Sequence, residues 1–206
     1  MDEITKRWRV FLKEDNDNSY QIYCDMDGVL VDLVGGLKKA ISSQYPEDII
    51  RQAFKVLESE KTWQDMQDDP KYSEGAKAIF NILDNPNGDV REQFWTNLPP
   101  KEDMLELWSY IKEYNPIILS APWILPNGNV DKSCDLGKRN WIAKFNLEPY
   151  DTIITPVKKV HSAPKHILID DMKKYLEPWG ERGIAIKHTS AAETKKVLEG
   201  ILKKDN

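Results

Sequence analysis

Two short apolar runs from opposite halves of the chain each stop abruptly on a pair of aspartates, and no other feature constrains the fold as much. In the first, Gln21-Ile22-Tyr23-Cys24 leads into Asp25-Met26-Asp27-Gly28-Val29-Leu30-Val31-Asp32; in the second, His166-Ile167-Leu168-Ile169 leads into Asp170-Asp171. Both runs have the length and the β-branched or aromatic character of buried strands. Acids crowded at a strand's end repel one another in a poorly hydrated place, and that repulsion raises the pKa of one of them. Packing gains nothing from several close carboxylates at one sheet edge. A divalent cation removes the conflict. Magnesium suits such an oxygen-rich set, since it accepts a few carboxylates, keeps waters and binds substrate phosphate directly.

Gly28 permits a turn that swings Asp27 away from Asp25. Asp25 would then face a metal-bound substrate, while Asp27 offers its backbone carbonyl to the metal and its carboxyl to the leaving group. Taken alone, Asp-x-Asp-Gly is also an ordinary strand-to-turn junction, where both residue types are common. The rest of the chain has to separate the two.

From Lys101 onward, helix and strand patterns alternate. A helix carrying Met104, Leu105, Leu107, Trp108 and Ile111 leads to the strand Ile117-Ile118-Leu119. Next come a helix from about Leu136 to Phe145, the strands Thr152-Ile153-Ile154, His166–Ile169 and Gly183–Ile186, and a C-terminal helix to about Leu202. This predicts an α/β fold with a doubly wound, five-stranded parallel sheet, whose ligands bind beyond the carboxyl ends of the strands. Residues 33 to about 95 break the alternation: Gly35-Gly36 reads as a flexible joint, and helical patterns follow over Leu37–Tyr45, Glu47–Glu58 and Gly75–Leu83. Turn clusters separate them, notably Asn85-Pro86-Asn87-Gly88-Asp89. The expected organisation is a core of residues 20–34 and 96–206, a helical cap over 35–95, and an N-terminal extension over 1–19 that reads equally as an edge strand or a mobile leader.

A chain of 206 residues holds one substantial core and a modest insertion. No apolar stretch is long enough to cross a bilayer, and the polar start has no signal-peptide h-region, so a cytoplasmic protein without a membrane partner is expected. The net charge of -5 argues against polymeric nucleic acid, which favours a basic surface, but leaves a small phosphate ester compatible. Cys24 and Cys134 form no disulfide framework or zinc spacing, and His161, His166 and His188 form no ligand pattern.

Ser120, which ends the strand Ile117–Leu119, could donate a hydrogen bond to a phosphate oxygen, although Ser120-Ala121-Pro122 is also ordinary loop chemistry. Lys138, early in its helix, could carry a point positive charge into the site.

The segment Asp25–Asp32 resembles the first motif of the haloacid dehalogenase superfamily of phosphatases, and its wording is similar to the 5'(3')-deoxyribonucleotidases. That resemblance implies a Rossmann-like core, a small helical cap and a magnesium ion, with Asp25 as the nucleophile that becomes phosphorylated and Asp27 as general acid and base. Ser120-Ala121-Pro122 is similar to the second motif, where those enzymes usually carry Thr-Ser-Pro, so one hydroxyl is lost here. Gly137-Lys138-Arg139-Asn140-Trp141 resembles the family's helix, implying that Lys138 balances the charge of nucleophile and phosphate; Lys158, in preference to Lys159, aligns with a second family lysine. In the fourth motif, Asp171 is expected to ligate the metal directly, and Asp170 through water or as an orienting group, giving a metal set of Asp25, Asp27, Asp170 and Asp171. Phe94-Trp95-Thr96-Asn97-Leu98-Pro99 resembles the family's aromatic return from cap to core, which implies base stacking on Phe94 or Trp95, though such aromatics are as often plain core. Leu33 and Met172 depart from the family's usual Phe and basic residue, so no base preference carries over.

The expected activity is magnesium-dependent hydrolysis of a small-molecule phosphate ester, foremost a deoxyribonucleoside monophosphate, through a phospho-aspartyl intermediate. The alternatives are another small phosphate ester, a nucleic-acid 3'-phosphate, and a non-catalytic binding module. A dehalogenase would not need the second acid, Asp27. Association as a homodimer is left open.

Overall fold

The computed structural model describes residues 20–59 and 69–203. The expected N-terminal extension lies outside the described residues. Five strands, β1 (Gln21–Cys24), β2 (Ile117–Ser120), β3 (Asp151–Ile154), β4 (His166–Asp170) and β5 (Ile184–Lys187), form one parallel sheet in the order β3-β2-β1-β4-β5. The expected α/β, doubly wound architecture is therefore observed. The chain lays β2 and β3 on one side of β1, then returns to lay β4 and β5 on the other, so its winding reverses between β1 and β4. Connections leaving these two strands diverge and open a crevice at their carboxyl ends. Cys24 pairs with Ile169 in register, and Asp25 N donates to Ile169 O at 2.9 Å. The two acid pairs thus emerge side by side.

Strands in such a sheet are buried on both faces, and alternate side chains serve different layers. Ile22, Cys24, Ile118, Ile167 and Ile169 pack into the larger core, while Tyr23, Ile117, Leu119 and Leu168 face a second cluster with Leu176 and Trp179.

Eight α-helices lie among the described residues: α1 (Leu33–Gln44), α2 (Glu47–Leu57), α3 (Ser73–Leu83), α4 (Gly88–Thr96), α5 (Met104–Ile111), α6 (Lys132–Lys144), α7 (Lys173–Gly180) and α8 (Ala191–Leu202). None is long and apolar enough to cross a membrane. Helices α1 to α3 pack on one another as the helical insertion. A Cβ on Gly75 would overlap the backbone at Gln52 and Ala53, so this glycine lets α2 and α3 approach closely.

Three local expectations are corrected. Gly35 and Gly36 are not a flexible joint but part of α1, whose N-cap Asp32 accepts from Gly35 N at 2.9 Å. A Cβ would strike the Asp32 carboxylate at Gly35 and Leu98 at Gly36, so close approach explains both glycines. The cluster around Asn87 is a helix start as well as a turn: its side chain accepts from Asp89 N at 2.9 Å and caps α4. Helix α6 begins at Lys132 rather than near Leu136, because Asp131 caps it by accepting from Ser133 N at 3.0 Å.

Helix α4 packs along α6 rather than among α1 to α3. A Cβ on Gly137 would overlap Trp95 and Glu92 O, Asn140 Nδ2 donates to Glu92 Oε1 at 3.0 Å, and the Arg91 guanidinium grips the buried Asp131 carboxylate at 2.9 and 3.0 Å. A forked, two-bond pair of this kind fixes orientation as well as distance.

Candidate functional site

The loop leaving β1 is built around Met26, which is buried and whose carbonyl accepts from Leu30 N and Val31 N at 2.8 Å each. Gly28 turns the chain with φ +81°, a left-handed conformation that costs a side chain-bearing residue energy. It is needed for space as well, because a Cβ there would overlap the Asp171 carboxylate. This one glycine lets the β1 loop and the end of β4 share a small volume.

Asp25 and Asp170 are buried, and one carboxylate oxygen from each of Asp25, Asp170 and Asp171 lies within 4.8 Å of the others. Their hydrogen bonding differs. Both Asp170 oxygens are taken, Oδ1 by Met172 N at 2.8 Å and Oδ2 by Lys158 Nζ at 2.6 Å. By contrast, Oδ1 of Asp25, of Asp27 and of Asp171 is buried without a hydrogen-bond partner. Asp25 Oδ1 lies 2.8 Å from Lys158 Nζ as a buried ion pair. Burial, then the charges of Asp25 and Asp170, push the Asp171 carboxyl up to about 7. Burial, then Asp25, also raises Asp170, against the pull of Lys158.

Two buried lysines answer this charge. Lys158 opens a short 3₁₀ turn, Lys158–His161, and is 1% exposed, whereas Lys159 faces solvent. Lys138, on α6 and 2% exposed, donates to Asp27 Oδ2 at 2.6 Å, to Ser120 Oγ at 2.9 Å and to the Ala121 carbonyl at 2.6 Å. All three of its ammonium hydrogens are used. Lys138 thus pairs with Asp27, and Lys158 is the lysine that pairs with Asp25. Burial raises Asp27 even though Lys138 pulls it down.

Four acids gather around two buried ammonium groups, an excess of acid at one sheet edge. A divalent cation would balance it. The donors are hard oxygens, and the unpartnered atoms of Asp25 and Asp171 belong to the three-acid cluster. Both features fit magnesium better than a thiophilic metal.

The aromatic pair behaves differently from expectation. Trp95 is 2% exposed, packs against Gly137 and lies under Lys138, whose Nζ is 5.2 Å from the ring centroid. The phase of α4 turns it into the core, so it offers no open face for a base. Phe94, half-buried, meets Trp95 edge-on at 5.4 Å. Sequence reasoning passed over Trp123, three residues beyond Ser120. Its Nε1 donates to Asp84 Oδ1 at 2.7 Å at the C-terminal end of α3, tying the helical insertion to the rim of the site. Only its proximity to Ser120 could have drawn attention to it.

Solved structures of similar shape include the L-2-haloacid dehalogenase from Xanthobacter autotrophicus, free and with chloropropionic acid covalently bound. Each is 14% identical, with 88% of this chain and 83% of that chain covered and a TM-score of 0.52. A dehalogenase with an intermediate complex is 11% identical, with 84% and 86% covered and a TM-score of 0.53. No protein-family model and no curated protein matches the chain. At such identities the likeness is one of fold.

Proposed function

We propose that this chain, which has the fold of haloacid dehalogenase superfamily hydrolases, is a magnesium-dependent phosphomonoesterase that works through a phospho-aspartyl intermediate, with nucleoside monophosphates as the first substrate class to test. One observation carries the reading: a second acid, Asp27, is held 2.6 Å from a buried lysine beside the Asp25 cluster. A dehalogenase forms its ester and hydrolyses it without such a group, whereas a phosphatase must protonate an alkoxide.

Asp25, which pairs with Lys158 Nζ at 2.8 Å, attacks phosphorus in line. The ester bond to phosphorus breaks, and the departing oxygen takes a proton from Asp27, whose burial favours the protonated form. Water then attacks the phospho-aspartate and gives its proton to Asp27, which returns phosphate and free Asp25. Ser120 Oγ accepts from Lys138, leaving its own hydrogen free for a phosphate oxygen. When bound by Asp25, Asp171 and the Asp27 carbonyl, with Asp170 behind them, magnesium would supply charge neutralisation and orient the phosphate.

The burial of Trp95 favours a second reading, in which the same chemistry serves another small phosphate ester, because one of the two expected stacking rings is withdrawn. A panel of nucleoside monophosphates, sugar phosphates, 3'-phosphorylated oligonucleotides and 2-haloacids, with magnesium and with chelator, decides. Phosphate release that needs magnesium and prefers nucleotides is expected. Release without nucleotide preference transfers the assignment to the second reading, and halide release in place of phosphate release defeats both.

A further inference from the structure

We propose that Tyr175 is a positioning residue for Lys158, holding the ammonium against Asp25 through the face of its ring. The Lys158 Nζ lies 4.4 Å from the Tyr175 centroid, the shortest cation-to-ring separation among the described residues. A lysine ammonium has three donors on a flexible four-carbon stem. Lys138 spends all of its donors on oxygen acceptors, whereas Lys158 donates to Asp170 Oδ2 at 2.6 Å and ion-pairs with Asp25 Oδ1 at 2.8 Å. Its contact with Asp25 is the longer of the two, and a further restraint keeps the ammonium between both acids. The ring provides that restraint. An aromatic face attracts a cation within about 6 Å, most strongly where water is excluded, and Lys158 is 1% exposed.

The chain also explains how the ring is placed. Tyr175 stands in the first turn of α7, where its N donates to Met172 O at 3.1 Å, while Met172 N donates to Asp170 Oδ1 at 2.8 Å. A single backbone turn therefore orients both Asp170 and Tyr175 toward one ammonium. Neither the acid-pair motif nor the lysines reveal this from sequence. Lys174 Nζ is 4.9 Å from the same ring, but it is exposed, so water weakens its competing pull.

The kinetic arm of the test rests on the phosphatase reading; the crystallographic arm does not. Tyr175→Phe keeps the ring face and Tyr175→Leu removes it, with Tyr175→Met as a longer apolar replacement should the leucine variant fail to fold. In crystal structures, Lys158 Nζ should stay beside Asp25 in the phenylalanine variant and withdraw from Asp25 while keeping Asp170 in the others. With p-nitrophenyl phosphate and saturating magnesium, kcat should fall about tenfold in Tyr175→Leu, with KM changed less than about twofold, and recover in Tyr175→Phe. An ammonium that stays beside Asp25 in Tyr175→Leu and Tyr175→Met overturns the assignment, as does a phenylalanine variant in which it withdraws. If the wild-type protein releases no phosphate from any ester, the phosphatase reading fails, and the Lys158 position in the crystals alone decides for or against Tyr175.

Discussion

The ends of β1 and β4 look alike in sequence, an apolar run followed by acids, yet they are built to opposite specifications. Beyond β4, Asp170 has both oxygens bonded, to Met172 N and Lys158, and serves as a fixed anchor. Its neighbour Asp171, and the two acids beyond β1, each keep a buried oxygen with no hydrogen-bond partner. The cause is local geometry. Residues after Asp170 enter α7, whose start turns a backbone N–H back onto the carboxylate, whereas Gly28 leads the β1 loop the other way and leaves its acids facing the crevice. The saturated acid holds the site together, and the unsaturated ones are available to a cation.

The sharpest way to break this division is Asp25→Asn. Phosphate release in single-turnover assays should fall by about three orders of magnitude or more, because the amide cannot attack phosphorus. An unchanged rate would remove Asp25 from the chemistry. Within the β4 pair the two substitutions should diverge. Asp171→Asn should weaken magnesium binding by calorimetry about ten- to a hundredfold while leaving the metal-free Tm unchanged or raised. Asp170→Asn should cost about 2 kcal/mol, or roughly 4–8 °C, since Lys158 loses its charged, in-line acceptor. Equal behaviour of the two variants would erase the distinction.

A smaller effect follows from acidity. A carboxyl whose folded pKa stands above its unfolded value binds its proton more tightly in the folded chain. The contribution of Asp171 to metal-free stability is thus full below about pH 4 and lost as the pH rises toward about 7. The Tm of metal-free wild type should therefore fall relative to Asp171→Asn as pH rises over that interval, and magnesium should reverse the trend. A Tm difference that does not vary with pH would mean that the acid is not strained. Smallest of all, Asp32→Ala removes the N-cap of α1 and should cost about 1 kcal/mol by denaturant titration, with kcat untouched.

The five strands and the acids that end them were legible because apolar runs and carboxylates are local signals that tertiary context had no reason to override. Lys158 stood out only faintly beside Lys159, since a side chain's burial depends on which way a short turn rolls. Helix phase explains the other misses. Nothing within Phe94-Trp95 says which ring faces the core, because that is decided by Gly137 on another helix. Gly35-Gly36 looked like a hinge for the same reason, as the Leu98 side chain that occupies the missing Cβ space of Gly36 comes from far along the chain. Tyr175 and Trp123 act through partners remote in sequence, so no motif could contain them.

The central place of β1, with β2 and β4 as its two neighbours, also bears on how the molecule comes into being during synthesis. The strand carrying Asp25 is made before the acids that complete its cluster, which arrive only with residues 170 and 171, after β2 and β3. A chain ending short of β4 carries Asp25, Asp27, Lys138 and Lys158 but neither Asp170 nor Asp171. The three-acid cluster of Asp25, Asp170 and Asp171 therefore exists only once the sheet is nearly whole.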